Sequence, residues 1–187
     1  MKLVLASASP RRKELLGLFH IPFEIRVADI DETMDPAKAP FEEVARVSRL
    51  KALAVEREAE DVVIAADTIV VCEGKVLGKP RSEQEAARML SALSGNTHHV
   101  YTGVTVRKGD KVLSAAECTS VKFRKLSGRE IDAYIATGEP MDKAGAYGIQ
   151  GVACLFVEGI EGDFFNVMGL PVCRLGKMLK ELGVDLL

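Results

Sequence analysis

The stretch from Val62 to Val71 limits the fold of this chain more than any other part of the sequence. Its apolar residues are largely β-branched and do not alternate with polar residues, which is typical of a strand buried on both faces. One carboxylate, that of Asp67, interrupts the run. Burial of a carboxylate is strongly unfavourable unless a cation, a metal or hydrogen-bond donors compensate for it. We therefore expect the rest of the chain to supply partners for Asp67.

The overall composition is that of an ordinary globular protein. The 187 residues are 48% hydrophobic and 28% charged, so the chain can bury a substantial core in one domain, or in one domain with two lobes. The formal net charge of −2 argues against general binding to nucleic acids or anionic membranes, because both need a basic surface. Any phosphate-binding site must therefore be local.

Neither a targeting signal nor a cysteine motif is expected. The segment from Met1 to Ser9 has the lysine and small residues of a signal peptide, but its apolar part is short and leads directly into three basic residues. No apolar run reaches the ~20 residues that a membrane-spanning helix needs. The cysteines are far apart in sequence, at Cys72, Cys118, Cys154 and Cys173. We expect buried thiols in a reducing cytoplasm rather than a zinc site or disulfides.

Two hydroxyls and two arginines lie at the predicted start of the first helix. A short strand precedes this helix, with Ser9 suited to the N-cap and Pro10 to the first turn. The free N–H groups and positive dipole end of a helix bind anions, so Ser7, Arg11 and Arg12 are candidates for a phosphate cradle. The alternative is a capped surface helix with solvated arginines, which spacing alone favours.

Three carboxylates follow the second predicted strand, which spans residues 23–27. Asp29, Asp31 and Glu32 are close enough in sequence to ligate Mg²⁺ or Mn²⁺, although such clusters are more often solvated in loops. A long helix is then predicted from Pro40 to about Ala59. Its predicted apolar side consists of Phe41, Val44, Ala45, Val47, Leu50, Leu53 and Ala54. Lys51 lies within this helix, where a solvated lysine is the common interpretation.

The segment from Gly74 to Lys79 superficially resembles a phosphate-binding P-loop. It has one residue too few between the glycines, and Pro80 stands where Ser or Thr is required, so we reject this interpretation. Lys79 still has a restricted backbone between a glycine and a proline, and it can reach a phosphate as a point charge.

Local signals indicate the later helices and strands. Capping boxes at Ser82 and Ser127 begin two helices. His98 and His99 are adjacent in sequence. In a strand they face opposite sides and cannot chelate one metal together. The predicted elements are helices to about Leu93 and about Thr137, strands over residues 100–106, 112–123 and 154–157, and a C-terminal helix over residues 170–182.

A glycine-rich segment from Glu139 to Gly151 has the most unusual composition in the chain. Its glycines at positions 145, 148 and 151 are three residues apart, which suggests a backbone that lies close to something flat or large. Gln150 can read a base edge through its paired donor and acceptor. The alternative is an irregular connection without a binding role.

Taken together and in this order, these motifs closely resemble the Maf-like nucleotide pyrophosphatases. The resemblance spans nearly the whole chain. It is carried by Ser7-Ala8-Ser9-Pro10-Arg11-Arg12, Asp31-Glu32, Lys51-Ala52, Ala66-Asp67-Thr68, Gly78-Lys79-Pro80, Tyr101-Thr102-Gly103-Val104, Glu139-Pro140, Asp142 to Gly151, and Asn166 to Pro171. The departures are modest and lie at Ala8, Ala153, Phe164 and Phe165.

The resemblance implies an α/β fold and a hydrolytic activity. The implied fold is an elongated mixed sheet flanked by helices, as in inosine triphosphate pyrophosphatases. It forms a single domain over residues 1–187, with two lobes and a central cleft, in a cytoplasmic homodimer. The implied reaction is metal-dependent hydrolysis of a nucleoside triphosphate, with Mg²⁺ or Mn²⁺, to the monophosphate and pyrophosphate. Nucleotide-pool cleansing and arrest of septum formation are the implied cellular roles.

The resemblance also implies roles for individual residues. Arg11, Thr68 and Gln150 match the branch of the family that acts on dTTP and UTP. Asp67 is the implied proton acceptor that activates water. We further hypothesise that Glu32 and Asp67 hold the metal, and that the triphosphate is contacted by Ser7, Arg12, Lys51 and Lys79.

A nucleotide-binding regulator of septum formation without catalytic activity is the alternative function. Both functions require the same basic and acidic groups. A binding module gains nothing from Asp67, however, because its charge repels a triphosphate unless a metal intervenes. The sequence therefore favours the enzyme.

Overall fold

The computed structural model describes residues 1–35 and 37–186. The strands are β1 (Leu3–Leu5), β2 (Phe23–Ile25), β3 (Val62–Cys72), β4 (Lys75–Leu77), β5 (Thr97–Lys108), β6 (Lys111–Phe123) and β7 (Val157–Glu161). The helices are α1 (Pro10–Gly17), α2 (Pro40–Ala54), α3 (Glu83–Leu93), α4 (Gly128–Ile135), α5 (Phe164–Met168) and α6 (Val172–Glu181). Short 3₁₀ segments lie at Glu139–Asp142, Ala144–Ala146 and Val152–Phe156.

The strands form one mixed sheet in the order β2-β1-β3-β5-β6-β7, with β4 paired to β3. Strand β1 runs parallel to both β2 and β3, whereas β4 and β7 run antiparallel to their neighbours. The predicted central strand is confirmed as β3, in which every residue except Thr68 is buried. A parallel strand in the interior of a sheet is covered on both faces, which explains why its apolar residues do not alternate with polar ones. The expectation of an α/β fold with a mixed sheet is confirmed.

The chain forms two compact units, and the division falls within β3. The first unit comprises Met1–Asp67, Thr102–Glu117 and the residues from Gly169 onward. The second unit comprises Thr68–Tyr101 and Cys118–Met168. The expectation of a single domain over residues 1–187 stays a prediction.

In the first unit, helix α2 lies directly against the backbone of β5. A Cβ atom on Gly103 would lie 2.0 Å from the carbonyl oxygen of Val44, so only glycine permits this approach. The buried hydroxyl of Ser48 is 2.8 Å from that of Thr105, which forms a second link between the helix and the strand. Helix α2 also carries Lys51, so these contacts determine where that side chain lies.

The second unit contains a buried aromatic cluster around His98. This side chain is completely buried, and its Nε2 is 2.8 Å from the hydroxyl of Tyr147. The rings of His98 and Tyr147 both meet Phe123 edge-on. Burial lowers the pKa of His98 to about 4. His99, its neighbour on β5, is exposed, as the strand alternation predicts.

The prediction for α2 is wrong in its length and in part of its buried face, although Val44 and Val47 are buried as predicted. The helix ends at Ala54 rather than at about Ala59, because Val55 has an extended backbone. Phe41, Leu50 and Leu53 are exposed, although they were predicted to face inward. The buried positions are Glu43, Val44, Val47, Ser48 and Ala52. Polar residues occupy this face because they have partners: Glu43 pairs with Arg46, which lowers the pKa of that carboxyl to about 2.

Two further predictions are wrong. The segment predicted as a strand over residues 154–157 is mostly the 3₁₀ segment Val152–Phe156, in which Cys154 N donates to Gly151 O, three residues earlier. Strand β7 begins only at Val157. The thiols were expected to be buried, but only Cys72 is, whereas Cys118, Cys154 and Cys173 are exposed. The small side chain of cysteine fits both buried and exposed positions, so the sequence alone did not determine which cysteines are buried.

Among the helices in the described part of the chain, none is both long and apolar enough to span a bilayer.

We predict that Gly103→Ala destabilises the protein. The added methyl group forces α2 away from β5, and overpacking of this kind costs about 1–3 kcal/mol of unfolding free energy. Urea unfolding measures this loss of unfolding free energy. The matched control is Gly176→Ala in α6, where a Cβ atom meets nothing within 4 Å. That change is expected to stabilise the helix by about 0.5–1 kcal/mol, and equal effects of the two substitutions would contradict the account.

We also predict that His98 makes stability depend on pH. Its pKa in the folded state, about 4, is below the usual value of 6.5, so the unfolded chain binds more protons between these values. Stability should therefore be full above pH 6.5 and fall as the pH drops towards 4, by about 3 kcal/mol for this group. Unfolding of wild type and His98→Gln across this range isolates the contribution, because the variant lacks the titrating ring. Parallel pH profiles would show that the prediction is wrong.

Candidate active site

Lys51 joins the buried carboxylate of Asp67 to that of Glu32. Its Nζ donates to Asp67 Oδ1 at 2.7 Å and to Glu32 Oε2 at 2.8 Å. Asp67 is 7% exposed on β3, and Lys51 lies in the last turn of α2. Glu32 lies in the connection between β2 and α2, and its side chain is 56% exposed. The cation that a carboxylate in this strand requires is therefore present in the first unit.

The start of α1 brings a second cation to the same unit. Arg12 Nη1 donates to Ser7 Oγ at 3.1 Å, and its Nε donates to the carbonyl oxygen of Gly169 at 2.8 Å. Burial lowers the pKa of the Arg12 guanidinium, whereas the charge of Asp67 acts in the opposite direction. An arginine in a protein keeps its proton under these conditions. The guanidinium is thus held in place as a cation near Asp67.

The predicted helix start is confirmed in part. Pro10 occupies the first turn of α1, and Ser9 is the N-cap residue, but the Ser9 side chain makes no capping hydrogen bond. Instead, the N–H of Ser9 donates to Ser7 Oγ at 3.2 Å. The hydroxyl of Ser7 therefore accepts from both the backbone and Arg12, which fixes its orientation. Arg11 follows Pro10, and its charge contributes to lowering the pKa of Arg12.

The other predicted site residues belong to the second unit. Thr68 follows Asp67 on β3 and is half-buried. Lys79 is exposed after β4, next to Gly78, whose carbonyl accepts from Gly145 N at 3.1 Å. Gln150 is exposed in the glycine-rich segment. The structure thus brings Ser7, Arg12, Glu32, Lys51 and Asp67 together in the first unit, while Thr68, Lys79 and Gln150 lie in the second.

Three groups that support the candidate site residues were not given that role from the sequence. The carbonyl of Gly169 holds Arg12, and a backbone group leaves no side-chain signal in a sequence. The Tyr134 hydroxyl donates to Glu139 Oε1 at 2.9 Å; it also accepts from Gly148 N, and Glu139 Oε2 accepts from Val152 N. Glu139-Pro140 was visible as part of a motif, but its spacing gave no reason to connect it with Tyr134.

Chemically, the cluster combines hard anionic oxygens with fixed cations. Carboxylate oxygens are the ligands that Mg²⁺ and Mn²⁺ prefer, and guanidinium and ammonium groups bind phosphate. The arrangement therefore suits an anionic substrate that carries a divalent cation.

Comparison with known proteins identifies the family. A family model described as Maf-like protein matches residues 2–182. The chain belongs to the Maf-like protein family.

Two relatives with about half of their residues identical match almost the whole of this chain. A protein of Bacillus cereus named dTTP/UTP pyrophosphatase is 50% identical over 185 residues, which are 98% of this chain and 97% of that protein. One of the same name from Bacillus thuringiensis subsp. konkukian is 49% identical, with the same coverage. A solved HAM1 protein from Coxiella burnetii matches with a TM-score of 0.53 and 15% identity, over 97% of this chain and 99% of that one. This likeness confirms the expected fold.

Proposed function

We propose that this protein hydrolyses dTTP and UTP to the monophosphate and pyrophosphate, using a divalent metal cation. The observation that carries the proposal is the buried Asp67, linked through Lys51 to Glu32 and lying near the fixed guanidinium of Arg12. The names of relatives that are 50% identical over 98% of the chain support the same substrates.

Binding of the triphosphate depends on charge. Lys51 and Arg12 offer one ammonium and one guanidinium in the first unit, and Lys79 is an exposed cation in the second. Catalysis of phosphoryl chemistry is mostly positioning together with neutralisation of charge. Ser7 contributes indirectly, because its hydroxyl orients Arg12.

The two carboxylates fit a magnesium or manganese ion. The ammonium group of Lys51 bridges Asp67 and Glu32, which supports a place for positive charge beside the two carboxylates. In the described part of the chain, no group of three or more acidic, histidine or cysteine side chains could hold a metal. Mg²⁺ commonly takes one or two carboxylates and completes its shell with substrate phosphates and water. When bound, the ion neutralises phosphate charge and makes water easier to ionise.

We assign the role of proton acceptor to Asp67. In the proposed reaction, it orients the attacking water and accepts a proton on its carboxylate as the α–β phosphoanhydride bond breaks and pyrophosphate leaves. A general base of this kind contributes about 10²–10⁴-fold to the rate. Lys51 contacts one oxygen of Asp67, which fixes the orientation of the carboxylate.

Selection of the base is assigned to Arg11, Thr68 and Gln150. The amide of Gln150 has a donor and an acceptor, so it can pair with the edge of a pyrimidine. We also propose a cytoplasmic homodimer that cleanses the nucleotide pool and takes part in the arrest of septum formation. Sedimentation analysis of the full chain tests the dimer.

We predict that Asp67→Asn lowers turnover of dTTP by at least ~100-fold, because the amide cannot accept the proton from water. Pyrophosphate release with Mg²⁺ or Mn²⁺ measures turnover. The control is Asp132→Asn on the exposed face of α4, which should leave turnover unchanged. Unchanged turnover in Asp67→Asn would remove Asp67 from the mechanism.

The substrate is tested with a panel of canonical and modified nucleoside triphosphates. We expect the wild-type protein to release pyrophosphate most efficiently from dTTP and UTP. Binding of these nucleotides without any release would instead favour the regulator that lacks catalytic activity.

A further inference from the structure

Gln150 lies at the tip of a tight turn in the second unit. The turn is closed by a hydrogen bond from Gly151 N to Gly148 O at 3.0 Å. Within it, Ile149 is 5% exposed and faces the core, whereas Gln150 is exposed. The position of the Gln150 amide therefore depends on what holds the two ends of this turn.

Tyr134 and Glu139 hold both ends of the turn. On one side, Gly148 N donates to the hydroxyl of Tyr134 at 3.2 Å. On the other side, Val152 N donates to Glu139 Oε2 at 3.0 Å. The hydroxyl of Tyr134 in turn donates to Glu139 Oε1 at 2.9 Å. The phenol and the carboxylate thus form one hydrogen-bonded clamp that grips the backbone two residues before Gln150 and two residues after it.

The backbone of the turn rests directly on this clamp. A Cβ atom on Gly151 would lie 2.1 Å from Glu139 Oε1, and one on Gly148 would lie 2.6 Å from Cε of Lys143. Lys143 is itself held, because its Nζ donates to the carbonyl oxygen of Glu139 at 2.7 Å. A side chain at position 151 would collide with the Glu139 carboxylate of the clamp, which gives a physical reason for glycine at that position.

Packing and helix capping hold the clamp in place, and the Tyr134 hydroxyl keeps its proton. Tyr134 is 2% exposed, and its ring meets that of Phe156 edge-on with the centroids 5.1 Å apart. Burial raises the pKa of the Tyr134 hydroxyl, so the group remains a donor to Glu139 at neutral pH. Helix α4, which carries Tyr134, begins with a complete capping box between Ser127 and Glu130. Groups held in this way can fix a neighbouring side chain in one position.

We propose that Tyr134 and Glu139 are positioning residues that set the base preference of the enzyme by holding the Gln150 turn. The inference rests on the proposed function, because it concerns the same substrates. Neither side chain is assigned a contact with the substrate, and both act through the backbone at Gly148 and Val152. Lys79, a proposed phosphate contact, belongs to the second unit, but Asp67, the proposed proton acceptor, belongs to the first. We therefore expect the clamp to affect selectivity more than the chemical step.

The test is the ratio of kcat/KM for dTTP to that for dGTP in Tyr134→Phe. This variant keeps the ring that packs on Phe156 but removes the hydroxyl that links Gly148 to Glu139. We expect the ratio to fall by about 10-fold, mainly through a higher KM for dTTP, with kcat within about 3-fold of wild type. Tyr101→Phe is the control, and its ratio should equal that of the wild type.

A double-mutant cycle separates positioning from general loosening of the fold. Gln150→Ala should lower the ratio by itself, and Tyr134→Phe should add no further loss in that background, because both changes act through the same side chain. Glu139→Gln removes one of the two acceptor oxygens and should lower the ratio in the same direction. It replaces Tyr134→Phe as the test if that variant does not fold.

The outcomes are distinct. An unchanged ratio in Tyr134→Phe, or a loss that persists fully in the Gln150→Ala background, would overturn the inference while leaving the proposed function intact. An unchanged ratio in Gln150→Ala would overturn the inference together with the assignment of base selection to Gln150, and would leave only the proposed hydrolysis of dTTP and UTP. Failure of the wild-type protein to release pyrophosphate from dTTP would overturn the proposed function, and the inference with it.

Discussion

The contact of Lys51 with Asp67 and Glu32 is the interaction around which the candidate site is built. A carboxylate in an otherwise apolar strand is unfavourable unless a cation meets it. Here the ammonium is delivered by a helix that can approach the sheet only because residue 103 is glycine. The hydrogen bond between Ser48 and Thr105 fixes the same helix against the same strand. A buried charge, its partner and the packing that brings them together therefore form one arrangement.

The two units use different means to position their polar groups. In the first unit, direct contacts hold charged side chains: Lys51 bridges two carboxylates, and Arg12 donates to the Ser7 hydroxyl and to a backbone carbonyl. In the second unit, the clamp of Tyr134 and Glu139 holds a segment of backbone, and the functional candidate is carried on that segment. The first arrangement suits phosphate and metal, and the second suits recognition of a base.

Much of the fold was predictable from the sequence, because its signals are local. The apolar run in β3 and the capping box at Ser127 each depend on neighbouring residues, and both were predicted correctly. The end of α2 was predicted wrongly. The helix ends where the backbone of Val55 becomes extended, although helix-forming residues continue beyond that point. The candidate site was predictable as a set of residue types. The pairing of Lys51 with Asp67 was not, because it joins a helix to a strand and has no sequence signature.

The central claim is that the buried charges serve catalysis and are not required for folding. The most direct measurement compares wild type with the double variant Lys51→Met and Asp67→Asn, by urea unfolding and by pyrophosphate release from dTTP. Replacing both partners of a buried ion pair is often neutral or stabilising, so we predict unfolding free energies within about 1 kcal/mol of each other, or higher for the variant. Turnover should fall by at least ~100-fold. A double variant that folds and retains turnover near that of the wild type would contradict the account.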